Sequence, residues 1–303
     1  MPAIFKKIIL QELVDFYKKK IKKISTTPDL DLQILVCKAL NISKERYYLQ
    51  RNQNLNQWKI FKIKRLIGKR LKNIPIAYIL GKKEFFGLDF RVNPDVLIPR
   101  PDSELLVEKA LSLVEKEKFE PSKSLIVDVG TGSGCLIISI AKNLAEKKIN
   151  FLALDYSKKA LKIVRKNLIF HKLENKIKLN RSNLLNKIEK RNCFKASQTI
   201  IITANLPYID PDAYLKLSLE VKKEPKAALI AKNKGLFLIK KIINQIILLI
   251  QNYKNKNFFV FLEIDFSQKN RLKELLKFHS KYLKFRFHKD LTQKTRVVEI
   301  WSK

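Results

Sequence analysis

From residue 124 onward, short apolar runs alternate with longer segments in which apolar residues recur at helical spacing. The apolar runs predict strands at 124–129, 151–155, 176–181, 199–204, 258–264, 285–290 and 296–301. The intervening segments predict helices at 134–147, 157–170, 235–252 and 267–281. This alternation indicates a parallel sheet covered on both faces. The connection 289–295 is too short for a helix, so the last two strands should form an antiparallel hairpin.

The first 80 or so residues lack a strand pattern and predict helices instead. Apolar residues recur at helical spacing at Ile4, Ile8, Leu13 and Phe16, and again at Leu30, Ile34, Leu35 and Leu40. Pro28 suits the first turn of a second helix. Residues 84–100 then alternate around Asn93-Pro94-Asp95, which predicts a β-hairpin turning there. We therefore divide the chain into a helical domain, 1–82, and a hairpin linker with the α/β domain, 83–303.

Composition narrows the class of protein. The chain has 303 residues, of which 46% are hydrophobic, so it can bury a proper core. Three cysteines without CxxC spacing and three histidines favour neither a metal site nor a disulfide framework, and fit a reducing cytoplasm. No secretory signal is visible. The most apolar stretch, 236–250, contains Lys240 and Lys241 and predicts a buried helix, since a membrane span needs about 20 apolar residues.

The formal charge is +35, from 63 basic and 28 acidic residues. Such an excess favours association with nucleic acid or ribosomes through long-range electrostatics. The excess is mostly lysine in a chain also rich in Ile and Asn, which is equally typical of coding bias in an AT-rich genome. Charge alone therefore leaves both interpretations open.

Three of the seven glycines, Gly130, Gly132 and Gly134, fall within the stretch VDVGTGSGC. They follow a predicted strand and open a predicted helix, where glycine lets the backbone approach a ligand. A dinucleotide loop reads GxGxxG, but Cys135 occupies its last position, so the spelling favours S-adenosylmethionine (SAM). The predicted cofactor-binding loop is Gly130, Thr131, Gly132, Ser133 and Gly134. Asp128 is a candidate for holding the amino group of SAM, directly or through water.

A ligand with a ribose predicts an acid at the end of the next strand, about 20 residues on. Asp155 ends the stretch FLALD, and its carboxylate can accept from both ribose hydroxyls, while Ser157 is better placed to cap the following helix. At the end of the third strand, Asn183 or Ser182 can accept from the adenine amino group, and Leu184 can pack on the adenine ring. An ordinary polar loop is the alternative there.

The fourth strand ends abruptly in Asn205-Leu206-Pro207-Tyr208. Beside a methyl donor, this pattern suits a planar nitrogen acceptor, which needs orientation more than deprotonation. The Asn205 side-chain oxygen and the Leu206 carbonyl can each accept one N–H, and Pro207 aims that carbonyl. The Tyr208 ring can lie against the planar group. The motif alone does not distinguish adenine, cytosine and glutamine.

The chain resembles the HemK/PrmC family, the peptide chain release factor glutamine N5-methyltransferases, over essentially its whole length. The segments that carry the resemblance are PIAYILGKKEFFGLDFRVNPDVLIPRPDSELLVE (75–108), VDVGTGSG, NLPYI and EPKAAL (224–229). LIPRPDSELLVE is the most specific of them, since many methyltransferases share the glycine loop and the NPPY-type motif.

The resemblance implies a fold, a cofactor and a substrate. The fold is α/β, a class I SAM-dependent methyltransferase with a Rossmann-like seven-stranded sheet ending in an antiparallel hairpin, plus a small all-α N-terminal domain that binds substrate. The substrate is the glutamine of the Gly-Gly-Gln loop of peptide chain release factors, methylated at N5, with S-adenosyl-L-homocysteine as product. We expect a cytoplasmic monomer that requires neither a membrane nor nucleic acid.

The resemblance also assigns roles to residues. The implied catalytic residues are Asn205, Pro207 and Tyr208. The implied cofactor-binding residues are Gly130, Thr131, Gly132, Ser133, Gly134, Asp155, Asn183, Leu184 and Asn205. The implied substrate-binding residues are Asn205, Leu206, Pro207 and Tyr208, and no metal is expected. Arg100, Pro101 and Asp102 would lie near the cofactor.

The chain departs from the family pattern at three positions. Leu206 stands where the family usually has Pro, Asn183 where it usually has Asp, and Asp265 where it usually has Gly. Two methyltransferase alternatives stay open: a ribosomal-protein glutamine methyltransferase, and an rRNA or DNA adenine N6-methyltransferase, which the charge and the NLPY spelling favour. A non-enzymatic alternative is a basic RNA-binding module, against which the intact glycine loop argues.

Overall fold

A computed structural model gives the fold and describes residues 8–117 and 119–303. Ile4, one of the residues at predicted helical spacing, lies outside the described residues. The chain forms two compact units, one from the N-terminal part up to Gly81 with Ser218–Lys223, the other from Lys82–Leu217 with Glu224–Lys303. The predicted division at 82/83 did not include residues 218–223 in the helical part. That division and the substrate-binding role of 1–82 remain predictions.

The first unit is built from amphipathic helices. They are α1 (Leu10–Ile21), α2 (Pro28–Leu40), α3 (Lys44–Leu49), α4 (Gln57–Leu71) and α5 (Ile76–Leu80), and a two-residue strand β1 (Ile8–Ile9) pairs antiparallel with β2 (Asn54–Leu55). As predicted, α2 begins at Pro28. The Asn56 side chain, which the sequence analysis did not single out, caps α4 by accepting from the Lys59 backbone N–H. The apolar faces meet in one core that includes Leu13, Leu32, Leu35, Ile63 and Ile67. The β1–β2 pair is too short to leave a periodic signal.

A buried ion pair ties residues 218–223 to this helical unit. The Arg70 side chain is only 3% exposed, and its Nε donates to Asp31 Oδ2 at 2.7 Å. Its Nη2 donates to Glu220 Oε2 at 2.8 Å. A buried charge is tolerated only when it is paired, so Arg70 holds both acids in place.

The second unit contains a seven-stranded sheet. Its strands are β5 (Ser124–Val129), β6 (Asn150–Asp155), β7 (Ile177–Arg181), β8 (Thr199–Ala204), β9 (Asn257–Glu263), β10 (Leu283–Lys289) and β11 (Thr295–Ser302), after a separate pair β3 (Lys82–Phe85) and β4 (Leu88–Arg91). The order is β10-β11-β9-β8-β5-β6-β7. All neighbours are parallel except β11, which is antiparallel to both β10 and β9. The predicted class I methyltransferase sheet with its terminal hairpin is confirmed.

Helices cover the two faces of this sheet. They are α6 (Glu104–Lys116), α7 (Cys135–Asn143), α8 (Lys158–Phe170), α9 (Asn192–Ala196), α12 (Phe237–Asn252) and α13 (Lys269–Phe278), while two shorter helices, α10 (Pro211–Leu215) and α11 (Lys226–Leu229), lie between β8 and α12 along the chain. Two separate apolar clusters result, because parallel strands buried on both faces carry apolar side chains toward both helix layers. The stretch 236–250 lies mostly in α12. The buried side chains of this helix pack in the cluster that also contains Leu125 and Ile202. Among the described residues, no helix combines the length and hydropathy that crossing a membrane requires.

The prediction for the first hairpin was wrong about its turn. β3 and β4 are joined at Phe86-Gly87, not at Asn93-Pro94-Asp95. Both turn residues have positive φ, 51° and 71°, the geometry that matches the twist of two antiparallel strands. Asn93 instead forms a local turn after β4, in which its Oδ1 accepts from the Asp95 N–H at 3.0 Å.

Candidate active site

The glycine loop lies at the carboxyl end of β5, where the sheet order changes direction. β5 pairs with β6 on one side and with β8 on the other, and ligands of such sheets bind at this switch point. Gly130, Gly132 and Gly134 have φ of 72°, 57° and 83°, a region that favours glycine. The Gly130 and Thr131 N–H groups donate to the Leu154 carbonyl, which fixes the loop against β6.

Asp155 is held in place by backbone donors. Its Oδ2 accepts from the Gly132 N–H at 3.0 Å and its Oδ1 from the Ser157 N–H at 2.8 Å. Each carboxylate oxygen has two acceptor sites, so capacity remains for two ribose hydroxyls. Ser157 caps α8 by accepting from the Ala160 N–H at 3.2 Å, as the sequence predicted. Burial raises the pKa of Asp155, while its backbone hydrogen bonds oppose that shift.

A cavity of about 340 Å³ opens above this loop, within the size range of small-molecule sites. The sequence-predicted residues in its wall are Gly130, Thr131, Gly132, Ser133, Asp155, Asn183, Leu184, Asn205, Leu206 and Pro207. Gly134 and Tyr208 are not in that wall. A Cβ on Gly134 would lie 3.1 Å from Ile138 and 3.2 Å from Val164, so this glycine serves the packing of α7.

Asp128 lies beneath the loop and not in the cavity wall. Its Oδ1 accepts from Thr203 Oγ1 at 3.0 Å, while its Oδ2 has no hydrogen-bond partner among the described residues. Complete burial raises the pKa of this carboxyl to about 6. The cavity wall therefore does not include the acid that the sequence offered for the SAM amino group.

The far end of the cavity carries a strained residue. Leu184 has φ of 53°, an uncommon conformation for a residue with a branched side chain, and it is buried in the cavity wall. Backbone strain of this kind concentrates at ligand sites. Tyr156, which the sequence did not single out, also lines this end, with the Arg181 guanidinium 5.1 Å from its ring centroid. The surface here suits a flat ring.

A chain of four hydrogen-bonded side chains stands at the other end, where β8 and β9 finish. Asn205 Nδ2 donates to Ser103 Oγ at 2.8 Å, and Ser103 Oγ donates to Glu263 Oε2 at 2.5 Å. Tyr208 OH donates to Glu263 Oε1 at 3.2 Å. Burial raises the pKa of Glu263 to about 7, and burial beside this carboxylate also raises the pKa of Tyr208. Neither Ser103 nor Glu263 was assigned a role by the sequence analysis above.

The loop 205–208 is supported from below. Leu206 is buried and lies so close to the glycine loop that a Cβ on Gly130 would be 3.1 Å from its Cδ2. Gly235, with φ of 76°, passes the Tyr208 carbonyl so closely that a Cβ there would be 1.8 Å from that oxygen. Gln268 Nε2 donates to the Tyr208 carbonyl at 3.3 Å. The side chain of Leu206 thus packs under the site, in addition to any role of its carbonyl.

Similarity to known proteins agrees with this geometry. The chain is 32% identical to a release factor glutamine methyltransferase of Fusobacterium nucleatum, over 89% of this chain and 74% of that protein. It is 35% identical to one of Thermodesulfovibrio yellowstonii, over 77% of this chain and 78% of that protein. The chain belongs to the release factor glutamine methyltransferase family.

Family models match both units. One described as the PrmC N-terminal domain matches residues 12–81, and one described as ribosomal protein L11 methyltransferase (PrmA) matches residues 109–209. A bifunctional methyltransferase of Rickettsia bellii is 31% identical over 90% of this chain but only 51% of its own length. The chain spans about half the length of the Rickettsia relatives that it matches.

Solved structures share the fold at lower identity. The human METTL16 catalytic domain, in complex with a MAT2A 3′UTR hairpin, has a TM-score of 0.54 and 18% identity, over 78% of this chain and 81% of that chain. The N-terminal domain of human METTL16 in complex with SAH has a TM-score of 0.51 and 20% identity, over 72% and 76% of the two chains. At these identities the likeness shows the methyltransferase fold alone.

The structure brings two motifs of the family resemblance together. The buried Glu224, from EPKAAL, accepts from the Ile98 N–H at 3.0 Å and pairs with the Arg100 guanidinium at 2.5 Å, both in LIPRPDSE. Arg100 lines the cavity, whereas Asp102 pairs with Arg296 at 3.1 Å outside its wall. The presence of both motifs was the available signal, but the pairing across the fold was not visible in the sequence.

Proposed function

We propose that this chain is a SAM-dependent methyltransferase that methylates the side-chain amide nitrogen (N5) of the glutamine in the Gly-Gly-Gln motif of peptide chain release factors. SAM supplies the methyl group, and S-adenosyl-L-homocysteine is the product. Release factors are the proposed protein partners, because two relatives that share at least two thirds of their length with this chain are named release factor glutamine methyltransferases. The alternatives from the sequence become outcomes of the test below.

One observation carries the proposal: Asn205 stands beside the glycine-loop cavity with its amide oxygen available. Its Nδ2 is bonded to Ser103, and within the described part of the chain no donor is bonded to its Oδ1. An amide nitrogen is a weak nucleophile because its lone pair is delocalised. An oxygen that accepts its N–H stabilises the positive charge that develops on nitrogen as the methyl group arrives.

The cavity also fits the cofactor. Gly130 and Gly132 keep its floor free of side chains, so that backbone can approach a ligand. Asp155 offers acceptor sites for the ribose hydroxyls, and Leu184 and Tyr156 offer surface for adenine. In this arrangement the methyl group would be delivered toward Asn205 and Pro207, at the opposite end from the adenine surface.

The decisive experiment offers the purified protein a choice of acceptors with SAM. We expect a peptide containing Gly-Gly-Gln to gain the mass of one methyl group, and the same peptide with Ala in place of Gln to stay unmodified. A peptide from a ribosomal protein and an rRNA fragment serve as the competing acceptors. Methylation of either of these instead of the Gly-Gly-Gln peptide would overturn the proposed substrate.

A further inference from the structure

The single hydrogen of the Ser103 hydroxyl decides the direction of the hydrogen-bond chain between Glu263 and Asn205. An ionised carboxylate can only accept, so this hydrogen points to Glu263 Oε2, 2.5 Å away. Ser103 Oγ then has only lone pairs left, and Asn205 must turn its N–H toward it. The Nδ2 atom lies 2.8 Å from that oxygen, and Asn205 lines the cavity, so Oδ1 is the amide atom left to accept from a ligand there.

We propose that Glu263, acting through Ser103, sets the orientation of the Asn205 amide and so makes it a hydrogen-bond acceptor toward the substrate. This inference rests on the proposed function for the identity of the substrate amide. Glu263 is a positioning residue, because it is 2% exposed and does not line the cavity. Tyr208 supports it by donating to the second carboxylate oxygen at 3.2 Å.

The opposite orientation is available when residue 263 can donate a hydrogen. A protonated Glu263 gives its hydrogen to Ser103 Oγ, and the serine hydrogen then turns to Asn205. The Asn205 amide flips so that its oxygen faces Ser103 and its N–H groups face the cavity. Two N–H donors, from Asn205 and from the substrate amide, would then oppose each other, and the acceptor for the substrate is lost.

Burial of Glu263, together with the groups around it, places this change near neutral pH. The groups that face it are Asp102 from the turn before α6, Tyr208 from the loop after β8, Arg296 from β11 and Cys135 from the start of α7. Burial is the largest influence and raises the pKa of Glu263 to about 7, and Asp102 acts in the same direction. The hydrogen bonds from Ser103 and Tyr208 and the Arg296 charge oppose it. The acceptor orientation is therefore favoured above this pKa.

Kinetics with the Gly-Gly-Gln peptide test the proposal. We expect Glu263→Gln to lower kcat by about 10- to 100-fold, with little change in the KM for SAM. The upper end of this range is the loss expected when a polar group that stabilises the transition state is removed. Ser103→Thr keeps the hydroxyl and should retain most activity, whereas Ser103→Ala should behave like Glu263→Gln. The matched control is Glu299→Gln, since Glu299 pairs with His288 at 2.7 Å in the terminal hairpin. It should leave kcat unchanged.

The pH profile separates positioning from a merely structural role. Wild-type kcat should rise with pH through a pKa of about 7, because only the ionised carboxylate enforces the acceptor orientation. The glutamine in Glu263→Gln cannot ionise, so this variant should lack the rising limb of the pH profile near pH 7. A variant that keeps the limb, or that loses activity only in proportion to lost folded protein, would overturn the proposal.

An NMR measurement makes the test independent of catalysis. In protein labelled with ¹⁵N-asparagine, the Asn205 side-chain signal is assigned by its loss in Asn205→Asp. We expect this signal to shift with pH in the wild type and to be constant in Glu263→Gln. If no peptide is methylated but the shift is seen, the proposed substrate fails and the positioning role stands. If the peptide is methylated but the Asn205 signal changes neither with pH nor with the substitution at residue 263, the positioning role is wrong and the proposed substrate is retained.

Discussion

At the level of single residues, the acceptor loop, residues 205–208, is held by the residues that pack directly against it. The backbone at Asn233, Lys234 and Gly235 takes three successive positive φ values of 59°, 52° and 76°. This turn presses the α carbon of Gly235 against the Tyr208 carbonyl, and Gln268 Nε2 bridges the carbonyls of Tyr208 and Lys234. A strained turn of this kind persists only where the surroundings hold it, so its contact with the Tyr208 carbonyl fixes the position of the Tyr208 backbone beside the site.

We predict that Gly235→Ala displaces the acceptor loop. The new Cβ would lie 1.8 Å from the Tyr208 oxygen and 2.7 Å from Gln268 Nε2, far inside van der Waals contact. We expect the unfolding free energy to fall by at least about 2 kcal/mol and methyl transfer to fall with it. Thermal unfolding and single-turnover methylation measure the two effects.

Gly87→Ala is the matched control for this change. Gly87 has φ of 71°, close to that of Gly235, but nothing lies within 4 Å of the position of its Cβ. Gly87→Ala therefore introduces the same strain of a left-handed backbone but no steric clash with a neighbouring residue. Equal effects of the two substitutions on methyl transfer would contradict a supporting role for Gly235.

At the scale of elements, α4 shows how one helix serves two purposes. Its apolar face contributes Ile63 and Ile67 to the core, and Arg70, one turn from Ile67, reaches Asp31 on α2 and Glu220 in the segment 218–223. The Glu220 side chain is 34% exposed, whereas Asp31 is only 8% exposed. Asp31 therefore depends on Arg70 more than Glu220 does.

We predict that Arg70→Ala destabilises the helical unit by about 3–5 kcal/mol, because it leaves the Asp31 carboxylate buried without a partner. Hydrogen exchange followed by mass spectrometry should show lost protection in α2, α4 and residues 218–223. Arg65→Ala is the control on the same helix, since Arg65 is exposed and should change stability by less than about 0.5 kcal/mol. Loss of protection in both variants alike would argue against the buried ion pair as the cause.

At the scale of the whole molecule, the charge of +35 acts against the compact state. Like charges repel each other more strongly when the chain is folded than when it is extended. Pairs such as Lys18–Asp29 and Lys82–Asp89 are largely exposed and contribute little. With 63 basic residues and 28 acidic ones, most cations have no acid available to them.

We predict that salt stabilises the protein. Raising NaCl from about 0.01 M to about 0.1 M shortens the Debye length from about 30 Å to about 10 Å and screens the repulsion. The Tm should rise by at least about 2 °C, the shift expected for about 1 kcal/mol in a domain of this size. Differential scanning fluorimetry measures the Tm at each NaCl concentration. The reference is the same buffer at the same pH, without osmolytes and without added NaCl. A falling Tm would mean that attractive ion pairs dominate.

Local patterns in the sequence determined most of the elements of the second unit. Strands β5 and β8 have the predicted bounds, because a buried parallel strand is a continuous apolar run with polar ends. The glycine loop and Asp155 were visible for the same reason, since each is tied to the end of one strand. The hairpin turn was placed at 93–95 instead of Phe86-Gly87, because both stretches contain turn-forming residues and strand pairing makes the choice.

The contacts that hold the site follow from the three-dimensional fold and were not visible in local sequence patterns. Ser103, Asn205 and Glu263 come from three distant parts of the chain. The apolar periodicity around each of them does not predict that they are hydrogen-bonded to one another. The same applies to Gly235 under Tyr208 and to Glu224 beside Arg100. Periodicity indicates only which side of a helix or strand is buried, whereas a hydrogen bond between side chains depends on which other element packs against that side. The sequence thus named Asn205, and the fold determined which of its amide atoms is left for a substrate.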